Sequence, residues 1–301
     1  MAHAPMSVKD RKNVLSGLKV REAMRRIAVH LPESASVDEA TRCAIKFKVS
    51  AILITGREYQ ALGVVSKTDL MCAYYAGLPL ETPVSTIMRS PPLFCGMDDS
   101  LDAALDTMRS KGVHRLYVRG DDPDQAIGIL AYPDIVGLLY RYCHKCEHNT
   151  LRTRKVPSIF NFSDTFKVRD VMNPSLLVFR EEDILSSVME GLSAHRIGAV
   201  LIRGRNNLPS GVVSKTDLIM AYRHGIPPTA EAATIMSSPV RSCDHNEQLV
   251  SAIQKMIFSD VHRFFVYRDN PDNIVGVLTL TDAARVRSGS CRACVSSRIR
   301  L

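Results

Sequence analysis

No stretch of this sequence approaches the roughly 18 consecutive apolar residues that a bilayer-spanning helix requires, so no membrane association is expected. The opening segment MAHAPMSVKDRKNVLSGLKV has no apolar signal core, and a cytoplasmic protein is expected. Cysteine is sparse, at eight in 301 residues. That excludes a disulfide scaffold and leaves buried thiols or metal ligands. Also absent are a Ser/His/Asp constellation, a catalytic carboxylate pair and a GxxxxGK[ST] phosphate loop, so no enzymatic activity is expected. The chain does have an ordinary globular balance, 46% hydrophobic and 23% charged residues, over a length that suggests about two domains. Its formal net charge of +8 favours anionic partners such as nucleotides, nucleic acid or an acidic protein surface; solubility alone accounts for it equally well.

The dominant feature is an internal repeat. GVVSKTDL occurs twice, starting at Gly63 and at Gly211, an offset of 148 residues. The same offset relates Met24 to Met172, Met88 to Met236, His114 to His262 and Asp134 to Asp282. Between 63–92 and 211–240, 17 of 30 residues are identical. A weaker repeat lies inside each half, where Asp69 and Asp134 are 65 residues apart, as are Asp217 and Asp282. VSAILITG, VHRLYVRG, IGAVLIRG and VHRFFVYR occupy one position in four modules, and each reads as a strand. In the first module the pattern predicts a strand at 27–31 and an amphipathic helix over 36–47. A Ser36/Glu39 capping box opens that helix, and Ala40, Ala44 and Phe47 share one face. Strands at 51–55 and 62–65 and a second helix from Lys67 complete the order β-α-β-β-α. Asp122-Pro123-Asp124 and Asn270-Pro271-Asp272 supply turn chemistry in the even modules. Cys95 and Cys243 fall in predicted strands and read as small buried apolar residues.

Ser66-Lys67-Thr68-Asp69 reads as a helix cap of the Ser-x-x-Asp kind. The same geometry suits a ligand. A helix N-terminus offers free N–H groups and a positive dipole end to phosphate, and a nearby carboxylate can accept both hydrogen bonds of a ribose diol. Ser214, Thr216 and Asp217 repeat this set; Thr279, Thr281 and Asp282 repeat it with threonine. Ala131-Tyr132-Pro133-Asp134 lacks the first hydroxyl but keeps Asp134, and Pro133 suits a helix start. His114-Arg115 and His262-Arg263 stand at a strand position, where an arginine fork matches phosphate and histidine can donate beside it. The alternative is a strand-edge pair pointing outward. Odd modules carry Ser50-Ala51 and Gly198-Ala199 there, without charge, so each cleft is expected to combine groups from both modules of a pair. His195-Arg196 reads as helix-end charge.

The pattern Gly-x-x-Ser/Thr-x-x-Asp, in register four times, resembles that of cystathionine-β-synthase (CBS) domains. VREAM at 20–24 and VRDVM at 168–172 are similar to that family's lead-in. The His-Arg pair of the even modules resembles the gamma subunit of AMP-activated protein kinase. The resemblance implies a mixed α/β (α+β) fold of four β-α-β-β-α modules in two tandem Bateman pairs related by a pseudo-two-fold axis. The first pair spans 18–142, with modules at 18–80 and 84–142. The second spans 166–288, with modules at 166–228 and 232–288; 143–165 joins the pairs and 289–301 follows them. It also implies that Asp69, Asp217 and Asp282 hold ribose, with Asp134 retained. Ser66, Thr68, Ser214, Thr216, Thr279 and Thr281 contact ribose or phosphate, and His114, Arg115, His262 and Arg263 face phosphate. The implied ligand is an adenine nucleotide (AMP, ADP or ATP) or a related adenosyl compound. The implied role is regulatory, acting on a protein partner or within a homodimer.

Cys143-His144-Lys145-Cys146 and Cys291-Arg292-Ala293-Cys294 are both C-x-x-C and are also 148 residues apart. This spacing can offer two thiolates to a tetrahedral zinc ion. Cys143, Cys146, Cys291 and Cys294 could form one four-thiolate site, or His148 could join the first pair locally; free or redox-active thiols are the alternative. Arg152, Arg154, Lys155, Arg298 and Arg300 give both segments a basic flank. A solvated surface accounts for it. The competing functional class is an adaptor that uses this flank to contact protein or nucleic acid.

Overall fold

The computed structural model describes residues 17–145 and 167–285. A short helix α1 (Val20–Ala23) leads into the first module: β1 (His30–Pro32), α2 (Val37–Lys46), β2 (Ala51–Thr55), β3 (Ala61–Ser66) and α3 (Lys67–Tyr75). A 3-10 turn at Val84–Thr86 leads into the second: β4 (Phe94–Gly96), α4 (Leu101–Ser110), β5 (Arg115–Arg119), β6 (Ala126–Ala131) and α5 (Tyr132–Lys145). The third follows a turn at Val168–Asp170: β7 (Val178–Arg180), α6 (Leu185–Ala194), β8 (Ala199–Arg203), β9 (Pro209–Ser214) and α7 (Lys215–Arg223). The fourth follows a turn at Ala232–Thr234: β10 (Ser242–Asp244), α8 (Leu249–Phe258), β11 (Arg263–Arg268), β12 (Asn270–Thr279) and α9 (Leu280–Arg285). This is the expected β-α-β-β-α order, four times. In each three-stranded sheet the middle strand pairs parallel with the first and antiparallel with the third.

Local sequence explains these elements. Strand β2 (AILIT) is buried along its whole length, as a middle strand covered on both faces must be. Helix α2 opens on the Ser36/Glu39 box: the Ser36 amide donates to the Glu39 carboxylate at 2.7 Å, and the Glu39 amide donates to Ser36 Oγ at 3.1 Å. Val37, Ala40, Thr41 and Ala44 form its buried face. Phe47 departs from the expected face. The helix ends at Lys46, the chain turns through Lys48 at φ 51°, and Phe47 is left exposed. The first strand also begins later than expected, at His30, leaving Ile27 exposed, and before it the chain at Arg25 pairs with Ile129 of the second module. Asn270-Pro271-Asp272 is not a separate turn but the start of β12, which meets β11 through register shifts.

Each module's lead-in packs on its neighbour. Val20 is buried in the core with Leu101 and Leu105, and Val84 in the core with Val37 and Leu70. This crossing explains the motif glycines. A Cβ on Gly63 would lie 2.7 Å from Met88 Sδ and 3.0 Å from the Arg89 carbonyl oxygen, and one on Gly128 would lie 2.5 Å from the Arg25 carbonyl oxygen. Only glycine lets the two backbones meet this closely.

The two halves share their cores. One unites the first and third modules through α2, α3, α6 and α7, and another unites the second and fourth. Smaller clusters close the sheets within each pair: Leu53, Tyr117 and Ile129 in one, Leu201, Phe265 and Ile274 in the other. Helices α3 and α7 lie side by side about a pseudo-two-fold. The Tyr74 and Tyr222 rings stack with centroids 5.1 Å apart. Tyr74 donates to the Ile226 carbonyl at 2.6 Å, and Tyr222 donates to the Leu78 carbonyl. Burial pushes the Tyr74 phenol up to about 12, so it stays a donor at physiological pH. Among the described residues no helix is long and apolar enough to cross a membrane.

Candidate functional site

The motif aspartates all stand at the third position of a helix, where each closes a cap. In the first module Asp69 Oδ2 accepts from the Ser66 amide at 2.8 Å and from Ser66 Oγ at 2.6 Å. Asp217 does the same with Ser214 at 2.7 and 2.6 Å, and Asp282 with Thr279 at 2.9 and 2.6 Å. The cap at Asp134 has the Ala131 amide alone, which donates to Oδ2 at 2.9 Å, since alanine has no hydroxyl to give. Capping thus occupies one carboxylate oxygen and leaves Oδ1 directed elsewhere. The Oδ1 partners differ between halves. Asp69 Oδ1 pairs with Arg89 Nε at 2.8 Å, and Asp134 Oδ1 pairs with Arg25 Nε at 2.9 Å. Asp217 Oδ1 accepts from Ser237 Oγ at 3.0 Å. Among the described residues no ion pair forms to Asp217 or Asp282.

A group of cations stands beside these caps. Lys67 Nζ reaches across the pseudo-two-fold to Thr216 Oγ1 at 2.8 Å, and Lys215 Nζ reaches Thr68 Oγ1 at 2.9 Å. Lys67 is lowered to about 8, first by desolvation, then by the nearby charges of Arg263 and Arg115, with Asp217 opposing. Lys215 is lowered by desolvation first and Arg263 second. Arg115 and Arg263 open β5 and β11 and are half-buried. Desolvation lowers both guanidiniums. Arg115 donates to the Ala51 carbonyl at 2.8 Å and to Ser50 Oγ. At the equivalent place Arg263 faces Gly198, where a Cβ would lie 2.7 Å from its Nη2.

His262 is exposed at the strand edge, and desolvation, then Arg263, lower it below the usual imidazole range. His114 is exposed too, its ring edge-on to Tyr132 at 5.7 Å.

The third module's cap therefore carries the fullest set. Asp217 and Thr216 come from α7, Arg263 from the fourth module and Lys67 from the first, and Asp217 feels the charge of both cations. A carboxylate whose Oδ1 is held only by the Ser237 hydroxyl, a second hydroxyl at a helix N-terminus and two partly desolvated cations together match a diol joined to an anion. Sequence reasoning named Asp217, Thr216 and Arg263 and expected each cleft to combine groups from both modules of a pair. It missed Lys67 and Lys215, although both stand inside the repeated GVVSKTDL, because their reach across the halves depends on how α3 and α7 pack. It missed Arg25 and Arg89 because their reach depends on each lead-in crossing onto the neighbouring module's third strand.

Cys95 and Cys243 are buried in β4 and β10, and burial pushes both thiols up to about 12. His195 caps the end of α6. The zinc expectation cannot be placed on this geometry. Cys146, Cys291 and Cys294, His148 and the side chain of Cys143 lie outside the described residues, and among the described residues no cluster of His, Cys, Asp and Glu could hold a metal ion.

The family model of the CBS domain matches residues 20–76, 84–141, 168–224 and 232–289. Protein MJ1225 from Methanocaldococcus jannaschii is 22% identical over 216 residues, 71% of this chain and 74% of that protein. The MJ1225 crystal structure, described as that of a candidate archaeal homologue of g-AMPK, covers 88% of this chain and 98% of its own at 14% identity, with a TM-score of 0.72. A conserved protein from Pyrococcus horikoshii covers 90% of this chain and 100% of its own at 17% identity, with a TM-score of 0.57.

Proposed function

This chain belongs to the CBS domain family, and from that premise we propose that it is a non-catalytic regulator that binds an adenine nucleotide or a related adenosyl ligand between paired modules. One observation carries the reading: Asp217, Thr216, Arg263 and Lys67 stand close together although they come from three modules. The carboxylate suits the ribose diol. The helix N-terminus, Thr216 and the two cations suit phosphate. His262 and Thr281 extend the polar rim in the fourth module, with Asp282 and Thr279 as a second carboxylate and hydroxyl. The ligand's effect would pass to a protein partner or a second copy of the chain through the shared cores.

Calorimetric titration with AMP, ADP, ATP, adenosine and S-adenosylmethionine tests the reading. Asp217→Ala is expected to weaken binding more than about tenfold, roughly 1.4 kcal/mol, because a pair of diol hydrogen bonds is lost. Asp217→Asn keeps an acceptor for the cap and serves as the control for folding. Undiminished binding by both variants, with normal melting, would remove Asp217 from the site.

Lys67 supplies a second test. Its depressed pKa means that the folded chain binds fewer protons than the unfolded chain between about 8 and the ordinary lysine value. Stability therefore rises with pH across that window, and the penalty is fully present below it. A phosphate beside the ammonium restores its affinity for protons. AMP binding at pH 8.5 is thus expected to take up protons, seen as a heat that changes with the ionisation enthalpy of the buffer. Adenosine should show no such dependence, and Lys67→Met should reduce that of AMP. Equal proton uptake with both ligands would place the phosphate away from Lys67.

A further inference from the structure

The two halves repeat one unit, yet at three corresponding places the first half has partners that the second lacks. Arg89 covers the Oδ1 of Asp69, where the second half has Ser237 on Asp217. Arg25 covers the Oδ1 of Asp134, where the second half has Asn173. Ser50 Oγ and the Ala51 carbonyl hold Arg115, where Gly198 faces Arg263 and has no side chain to accept from it. Arg25 and Arg89 occupy one structural position, the residue after the lead-in methionine. Glycines 63 and 128 lay that segment on the neighbouring module's third strand: Val64 and Arg89 exchange two backbone hydrogen bonds at 2.9 Å, as do Arg25 and Ile129. The backbone thereby brings this side chain to the neighbour's carboxylate at Asp69, Asp134 and Asp217, and residue identity decides what arrives there; Asn173 instead accepts from the Ser175 amide at 2.9 Å.

We propose that Arg25, Arg89 and Ser50 are specificity-determining residues that hold the first pair's clefts in a self-bonded state, so that adenosyl ligands bind preferentially to the second pair. This rests on the adenosyl reading above and adds which clefts take the ligand. Asp69 is 7% exposed and its one uncapped oxygen is held by a guanidinium, so a ribose diol must displace Arg89 before it can bond. Arg115 must likewise leave two acceptors before it can meet phosphate. Among the described residues Arg263 has no such bonds to give up. The arginines themselves are exposed, at 52% for Arg25 and 76% for Arg89, so each lies over the carboxylate as a removable cover and not as part of the core.

The test is a transplant. Asp217→Ala with Asp282→Ala removes the second pair's carboxylates, and in this background AMP is expected to bind at least about tenfold more weakly than in the native chain. Adding Arg25→Asn, Arg89→Ser and Ser50→Gly makes the first pair resemble the second, and should regain about tenfold in AMP affinity. Circular dichroism and melting confirm that each variant folds. Two results would overturn the proposal: a double aspartate variant that binds AMP as tightly as the native chain, or a transplant that folds but regains nothing. A native chain that binds none of the adenosyl ligands overturns the adenosyl reading itself and this inference with it, a result distinct from native binding without rescue.

Discussion

Replacing Arg263 with alanine is expected to weaken AMP binding about 12- to 150-fold, the equivalent of the 1.5–3 kcal/mol of a charge-assisted hydrogen bond, while adenosine binds as before. The selectivity follows from position. Arg263 opens β11 directly opposite Thr279, in a space that exists because residue 198 is glycine. It is half-buried, its charge is disfavoured by desolvation, and Asp217 opposes that effect without bonding to it. A guanidinium held in this way offers a planar fork of donors, from which a phosphate can accept two hydrogen bonds. The ligand-free variant is expected to melt no lower than the native chain, since removing a partly dehydrated cation relieves repulsion with Lys67 and Lys215. Titration with AMP and adenosine, paired with melting curves, checks both parts. Equal losses for the two ligands would show that Arg263 shapes the cleft and does not meet phosphate.

Leu218→Ala is expected to destabilise the chain by about 2–5 kcal/mol, the range for emptying a leucine site in a packed core. Leu218 is fully buried in α7, within the core that the first and third modules share. The loss should therefore not stay in the second half. Hydrogen exchange is expected to show weaker protection in α3, at 67–75, as well as in α7, because Leu70, Tyr74 and Leu218 belong to one core and Tyr74 is bonded to the Ile226 carbonyl. Denaturation curves give the magnitude. Protection of α3 that remains native while α7 loosens would mean that the halves unfold separately despite their common core.

Much of this fold was legible in the chain, because its evidence is local or periodic. The capping box at Ser36, the helix from Lys67, the strand at Ala51–Thr55 and the burial of Cys95 and Cys243 each follow from a few adjacent residues. The aspartate caps were legible for the same reason, since Ser66, Ser214 and Thr279 reach an aspartate three residues on. Phe47 was misplaced because helical periodicity continues past Lys46 on paper, whereas the backbone turns left-handed at Lys48. The start of β1 was misplaced because Ile27 looks like strand on paper, whereas it is left exposed and the pairing with β2 begins at His30.

The sequence by itself determined the repeat, the order of elements in each module, and the residue types available to a ligand. These rest on spacing and on bonds between neighbours three or four residues apart. Tertiary structure alone decided which of those residues meet. Lys67 reaches Thr216 because α3 and α7 pack in a shared core, and Arg89 reaches Asp69 because a lead-in crosses to the neighbouring module over Gly63. The physical reason is that charge and hydrogen bonding act over a few ångströms of space. Residues about 148 positions apart enter that range only once the apolar faces of four modules have been buried together.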